Sequence, residues 1–222
     1  MGTRGRAVSP AAGGRPALLM DLGGVVVEDK LPAAAAKWAA RLGIGEDDFV
    51  TSVYAGNDTE VLVGRMDGPQ WWSVVRDRLG LDAQAVTELR ADLAADPVYD
   101  RALLDAVAAL RARAATAFVS NAWPDARPNL GAVLPAAEVA VLSCEVGYAK
   151  PDPRIYTHTL RLLGAEASEA LFVDDVAQNV EAARALGMAV HLHTDSAGTL
   201  AALDAFASRL PRATGPGTDG TE

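Results

Sequence analysis

Five short runs of the chain contain almost no polar residue: ALLM (17–20), TAFV (116–119), VAVL (139–142), ALFV (170–173) and AVHLH (189–193). A strand with one wet face alternates apolar and polar side chains. A run without that alternation is buried on both faces, as in a parallel sheet covered by helices. The segments between the runs supply the helices. Leu103, Val107 and Leu110 fall at i, i+4 and i+7 and share one helical face. Asp152, Pro153 and Gly164 read as N-cap, first helical residue and stop of the next helix. Val176, Val180 and Ala183 share a face of a third, which Gly187 ends. Strand–helix alternation of this kind predicts an α/β fold, a doubly wound, Rossmann-like parallel sheet.

Residues 31–96 fit no strand pattern. They break into four helical stretches, 32–43, 46–56, 68–80 and 82–96, and so predict an α-helical cap inserted after the first strand. The α/β core is then 16–30 together with 97–210. Residues 1–15 and 211–222 have no apolar periodicity and read as disordered tails.

Half of the 222 residues are apolar, enough for a sizeable core, and the formal net charge is −9. That charge argues against broad contact with nucleic acid or an anionic membrane, and an anionic substrate would need a local positive site. The single cysteine, Cys144, forms no intramolecular disulfide, which suits a reducing cytoplasm. The first residues do not read as a secretory signal, and no run of about 18 uncharged apolar residues suggests a membrane span. A cytoplasmic location is expected.

Open α/β sheets bind ligands beyond the carboxyl ends of their strands. Those ends carry Asp21, then Ser120 with Asn121, then Asp174 with Asp175, while Lys150 stands in the loop after the third strand. Clustered carboxylates repel: two unit charges ~4 Å apart cost roughly 4 kcal/mol at an effective dielectric of about 20. A divalent cation removes that cost, and hard oxygen ligands suit Mg²⁺. With Lys150 as a fixed positive charge and Ser120 as a hydroxyl donor, the set meets the needs of phosphoryl transfer through a carboxylate nucleophile.

The segments LLMDLGGVVVED, AFVSNAW, VGYAKPDPRIY and LFVDDVAQNVEAARALG resemble, in order, the four motifs of the haloacid dehalogenase superfamily. The likeness is greatest to capped phosphatases with a DLG-type first motif. It implies that Asp21 is the nucleophile and that the backbone carbonyl of Gly23 is a metal ligand. Ser120 and Asn121 would hold the transferred phosphoryl group, and Lys150 would neutralise nucleophile and phosphate. Asp175 with Asp174 would bind Mg²⁺, supported by Asn179.

Gly23 departs from the pattern. Most phosphatases of the superfamily carry there a second Asp, a general acid–base of the kind that contributes about 10²–10⁴-fold. Three readings follow. The substrate has a good leaving group, such as a sugar 1-phosphate; or Glu28 or Asp29 substitutes; or the protein is a metal-independent 2-haloacid dehalogenase, whose halide needs no proton. Family dehalogenases resemble SSN where this chain has VDD, which favours a Mg²⁺-dependent phosphatase acting on a small phosphate ester. A catalytically silent binding protein of the same fold is the alternative outside enzymes. In the cap, Arg65, with Asp58 nearby, is the candidate substrate contact. Of Trp71 and Trp72, one belongs to the cap core and the other, with Trp71 put forward, is the candidate ring at the entrance, where a sugar would stack. An exposed cap aromatic would offer a contact to a second copy in a homodimer. His191 and His193 share a strand face, but no third metal ligand accompanies them and an ordinary edge strand is the favoured reading.

Overall fold

Each apolar run forms a strand in a computed structural model that describes residues 14–94, 97–124 and 126–211. The strands are β1 (Ala17–Met20), β2 (Ala115–Ser120), β3 (Val139–Leu142), β4 (Ala170–Asp174) and β5 (Ala189–Leu192). They pair in parallel in the order β3-β2-β1-β4-β5. The chain winds outward from β1 through β2 to β3, then crosses back to β4 and β5. The direction of winding thus switches beside β1, and a doubly wound sheet opens its ligand crevice at such a point.

The helices follow as α1 (Leu31–Leu42), α2 (Glu46–Tyr54), α3 (Gly68–Leu79), α4 (Ala83–Leu93), α5 (Arg101–Leu110), α6 (Ala126–Asn129), α7 (Ser143–Val146), α8 (Pro153–Leu163), α9 (Ala177–Ala185) and α10 (Ser196–Arg209). Alternation along β1 explains why both faces of the sheet are covered. Leu18 and Met20 join a core with Leu103, Val107 and Leu110 of α5 and Leu203 and Phe206 of α10. Ala17 and Leu19 join another with Ile155, Tyr156 and Leu160 of α8 and Ala183 of α9. Each such large side chain taken out of water contributes about 1.5–3 kcal/mol.

The local signals of α8 hold. The Asp152 carboxylate accepts from the Arg154 N–H at 2.9 Å, Pro153 opens the helix, and Gly164 closes it at φ 62. The face expected of α9 needs one correction. Val180 and Ala183 are buried, but Val176 is 47% exposed. It is the N-cap, with extended backbone at φ −95 and ψ 113, so its side chain lies ahead of the helical register.

Residues 31–93 form a helical block with a core of its own, centred on Trp38, Phe49, Val53, Trp71, Val75 and Leu89. Two of its helices are capped by side chains: Asp67 and Gln70 close a capping box on α3, and Asp82 accepts from the Ala85 N–H of α4. The chain enters and leaves the block side by side, Val27 bridging antiparallel to Tyr99, with Glu28 N–H on the Val98 carbonyl and Asp100 N–H on that of Val26, both at 2.9 Å. The exposed large hydrophobics among the described residues are Ile44, Val98, Leu162, Val176 and Leu192, none of them aromatic.

Of the expected disordered tails, residues 1–13 and 212–222 lie outside the described residues, as do 95 and 96 at the end of the fourth cap stretch. Arg15 is ordered, its guanidinium donating to the Arg111 and Ala114 carbonyls at 2.8 and 3.0 Å and pairing with Glu138. No helix among the described residues is long and apolar enough to cross a membrane.

Candidate active site

At the switch point, Asp21 follows β1 and its N–H bonds the Val173 carbonyl of β4 at 2.9 Å. The Lys150 ammonium sits between two acids, 2.7 Å from Asp21 Oδ1 and 2.7 Å from Asp174 Oδ2. All three side chains are buried. Asp174 Oδ1 accepts from the Val176 N–H and from Asn179 Nδ2, each at 2.9 Å. Asp21 Oδ1 also takes the Leu22 N–H at 2.7 Å, so its second oxygen is the one left to react.

Lys150 is positioned from the end of β2. Asn121 Oδ1 accepts from the Lys150 N–H at 2.7 Å, and Asn121 Nδ2 donates to the Lys150 carbonyl at 2.9 Å. The amide expected on a phosphoryl group therefore spends its acceptor and one N–H on the backbone that carries the lysine. Ser120 ends β2 at the same edge and is buried.

The electrostatics are unbalanced. Burial, opposed by Lys150 and reinforced by Asp174, pushes the Asp21 carboxyl up to about 7. Burial works against the charge on Lys150, but Asp21 and Asp174 outweigh it and hold its pKa above the ordinary lysine value. Burial and the Asp174 charge also raise Asp175. Oxygens of Asp21, Asp174 and Asp175 lie within 4.8 Å of one another, three acids against one ammonium. Hard oxygen donors with surplus negative charge fit a small divalent cation. Asp174 already accepts three hydrogen bonds, whereas the more exposed Asp175 carboxylate bonds its own backbone N–H. Gly24 makes room for it: at φ +75, a Cβ there would lie 2.1 Å from Asp175 Oδ2.

Gly23 carries no comparable constraint. A Cβ built on it meets nothing within 4 Å, so the position where an acid was expected opens on free space. Glu28 and Asp29 border a cavity of about 470 Å³ together with Gly24 and Asp175. Glu28 pairs with Lys30, and Asp29 Oδ1 accepts from the Leu31 N–H at 2.8 Å.

Arg65 borders a second cavity, about 280 Å³, with Asp58, Thr59, Lys150 and Arg154. Its guanidinium donates to the Thr59 carbonyl at 3.3 Å. Trp71 is not at an entrance. It is 2% exposed, and its indole N–H donates to the Val53 carbonyl at 3.1 Å; Trp72 is buried beside it. The face of α3 that carries them fills the block's interior. Two aromatics not singled out from sequence lie where the block meets the sheet edge. Trp123, three residues after Ser120, packs on Tyr54, Trp71 and Trp72. Burial and the Asp29 charge push the Tyr54 phenol up to about 12. The one available signal for Trp123 was a large aromatic just beyond a strand end at the ligand edge. His191 and His193 both hydrogen-bond the buried Thr199 hydroxyl, at 3.1 and 2.8 Å, and tie the sheet edge to α10.

The chain is similar to known proteins in its sequence and its fold. It is 28% identical over 213 residues to bifunctional epoxide hydrolase 2 of Sus scrofa, a match covering 85% of this chain and 38% of that one; the chain thus spans under two fifths of that relative's length. A HAD family enzyme from Bacteroides thetaiotaomicron, solved in complex with magnesium and inorganic phosphate, superposes with a TM-score of 0.64 at 21% identity, over 81% of this chain and 94% of that one. The L-2-haloacid dehalogenase of Xanthobacter autotrophicus, with chloropropionic acid covalently bound, gives a TM-score of 0.60 at 22% identity, over 90% of each chain. At these identities the two structures show a shared fold. The family model of the haloacid dehalogenase-like hydrolases matches residues 16–187, a span that contains the sheet edge, the lysine between its carboxylates and the helical block, and the chain belongs to that family of hydrolases.

Proposed function

We propose that the protein is a Mg²⁺-dependent phosphatase that hydrolyses a small phosphomonoester through a phosphorylated Asp21, and that the helical block acts as its cap. The observation that carries the reading is the buried Asp21–Lys150–Asp174 chain beside Asp175. Asp21, with Oδ1 held by Lys150 and the Leu22 N–H, presents its other oxygen to phosphorus. Lys150 offsets the negative charge that nucleophile and phosphate bring together, and the Ser120 hydroxyl would donate to a phosphoryl oxygen. Asp175, Asp21 and the Gly23 carbonyl would hold the metal, with Asp174 bracing the site. When bound, Mg²⁺ supplies charge neutralisation for the phosphoryl oxygens. The relative solved with magnesium and inorganic phosphate supports this choice.

With no side chain at Gly23, the leaving oxygen departs without a proton donor from that position. Esters with a good leaving group, a sugar 1-phosphate among them, are therefore the favoured substrates. Arg65 beside the Lys150 loop is the proposed cap contact. The lone Cys144 fits work in a reducing cytoplasm.

The bare Gly23 also favours a second reading, 2-haloacid dehalogenase, since halide needs no proton. Against it stands the surplus negative charge of Asp174 and Asp175, which would repel an anionic haloacid where no cation offsets it. One assay separates the readings: a phosphate ester panel and 2-chloropropionate, each with Mg²⁺ and with chelator. Phosphate release that depends on Mg²⁺ is expected. Halide release in chelator would overturn the proposal in favour of the dehalogenase, and no release of either product would point to a silent protein.

A further inference from the structure

The turn after β2 is tied down in three directions. Asn121 is bonded both ways to the Lys150 backbone. The Ala122 N–H donates to the buried Ser143 hydroxyl at 3.0 Å, and that hydroxyl returns to the Ala122 carbonyl at 3.4 Å. Both ties lie within the α/β core. The third leaves it: the Trp123 ring sits against three aromatics of the helical block, 5.1 Å from Trp72, 6.2 Å from Tyr54 and 6.4 Å from Trp71 between centroids. Arg78 and Arg90 lie over Trp71 and Trp72 at 5.3 and 5.7 Å, fixing those rings within the block. A second close approach lies alongside. At Gly64, with φ +69, a Cβ would be 2.2 Å from the Cys144 carbonyl oxygen, next to the serine that holds Ala122. The block therefore rests on the two segments that frame Ser120 and Lys150.

The block's core is centred on its own Trp38, Phe49, Trp71 and Leu89, and Trp123 packs against that core from the sheet edge. A tryptophan three residues from Ser120 and two from Asn121 is where a displacement of the block would be felt by both. We propose that Trp123 is a positioning residue, through which the seated helical block sets the Ser120–Asn121 turn and, by way of Asn121, the backbone of Lys150. Seating of the block and organisation of the anion-binding turn are then one event rather than two. The kinetic part of the test rests on the phosphatase reading; the exchange part does not.

The experiment compares the full chain with its Trp123→Ala, Trp123→Phe and Trp72→Leu variants and the Trp72→Leu/Trp123→Ala double variant. Amide hydrogen exchange is followed in peptides covering 119–123 and 149–152, and kcat and KM are measured on p-nitrophenyl phosphate with Mg²⁺. Trp123→Ala is expected to speed exchange in both peptides about tenfold while β1 and α10 stay protected. It should lower kcat about tenfold or more, since small misplacements of reacting groups are costly. Trp123→Phe, which keeps a ring, should recover most of the loss. Trp72→Leu alters only the block yet should loosen the same two peptides, and the double variant should be no worse than Trp123→Ala alone, within about twofold. Wild-type exchange at 119–123 and 149–152 in Trp123→Ala, or faster exchange confined to the block, would overturn the proposal. So would multiplying effects of the two substitutions. If Trp123→Ala does not fold, Trp72→Leu decides by the same two peptides. A wild type that turns over no phosphate ester would sink the phosphatase reading, while the exchange rates would still decide whether Trp123 positions the turn.

Discussion

The helical block and the sheet edge are both buried, and they are buried for opposite reasons. In the block the interior is apolar, and its buried indoles find partners: the Trp38 indole N–H donates to Asp92 at 2.7 Å and that of Trp71 to the Val53 carbonyl. Among the described residues, Asn57 Oδ1 is the buried side-chain atom that goes without one. At the edge the interior is charged, with Asp21 and Asp174 sharing one ammonium and Asp175 adding to the surplus. Buried ion pairs seldom repay their desolvation, and a third unmatched acid makes matters worse. The block is what selection for stability produces. On the proposed reading, the edge is a place where stability is given up to a ligand that brings positive charge.

The sharpest way to break that contrast is Asp21→Asn. It removes the proposed nucleophile with almost no change of shape. Turnover is expected to fall by about 10⁴-fold or more. The metal-free protein should lose no stability, because a repelling acid has gone; a marked drop in melting temperature would mean that the edge is structural after all. Two substitutions come next and should differ in kind. Trp38→Ala in the block should cost about 3–5 kcal/mol through lost burial and a cavity, with or without Mg²⁺. Lys150→Met should cost a similar amount, about 3–5 kcal/mol, by leaving Asp21 and Asp174 without their cation. Only the second loss should be partly reversed by Mg²⁺, read as a larger metal-induced rise in melting temperature than in the wild type.

Gly23→Asp comes third. The space is open at that position, so the variant should fold. It should raise kcat on alkyl phosphates, by up to about 10²-fold, and raise it far less on a sugar 1-phosphate. An equal gain on both would remove the leaving-group argument.

How much of this was legible in the sequence follows the same division. The inner strands could be read because an unbroken apolar run has only one comfortable environment, and the residues at or just after the strand ends carried Asp21, Lys150 and Asp174 to one edge. The β5 segment also reads as a buried run, yet it is an outer strand of the sheet, and Ala189 and Leu192 are exposed. The entrance ring sought at Trp71 or Trp72 is at neither, both being buried, because helical periodicity tells which residues share a face but not what that face meets. Trp123 was missed for the complementary reason: a loop residue has no period, and its partners lie in two helices, α2 and α3, at least fifty residues earlier. The separate fates of Asp174 and Asp175 were also unreadable. One belongs to β4 and is held inside by Lys150, Val176 and Asn179; the other has just left the strand and lies against Gly24. Asn121 shows the limit for polar groups: the residue type says what bonds an amide can make, and only the neighbouring backbone decides which it does make.

The smallest expected effect tests the charge argument directly. A carboxyl whose folded pKa lies near 7, well above its unfolded value of 3.8, binds more protons in the native state than in the unfolded one between those limits. Stability must then fall as pH rises through that window and level off above it. The carboxyls held below their ordinary range, such as Asp152 beside Arg154 and Glu145 beside Arg127, act in the opposite sense but have given their contribution once pH exceeds about 5. His191, lowered by burial and by His193, adds stability as pH rises toward 6.5, against the trend from Asp21. The informative quantity is therefore a difference. In chelator, the wild type should lose melting temperature relative to Asp21→Asn between pH 5 and about 7, and saturating Mg²⁺ should abolish that relative loss, because a bound cation favours the ionised carboxylate. Parallel pH profiles for the two proteins in chelator would show that Asp21 ionises in the folded chain as easily as in the unfolded one, and the edge would then hold no more strain than the block.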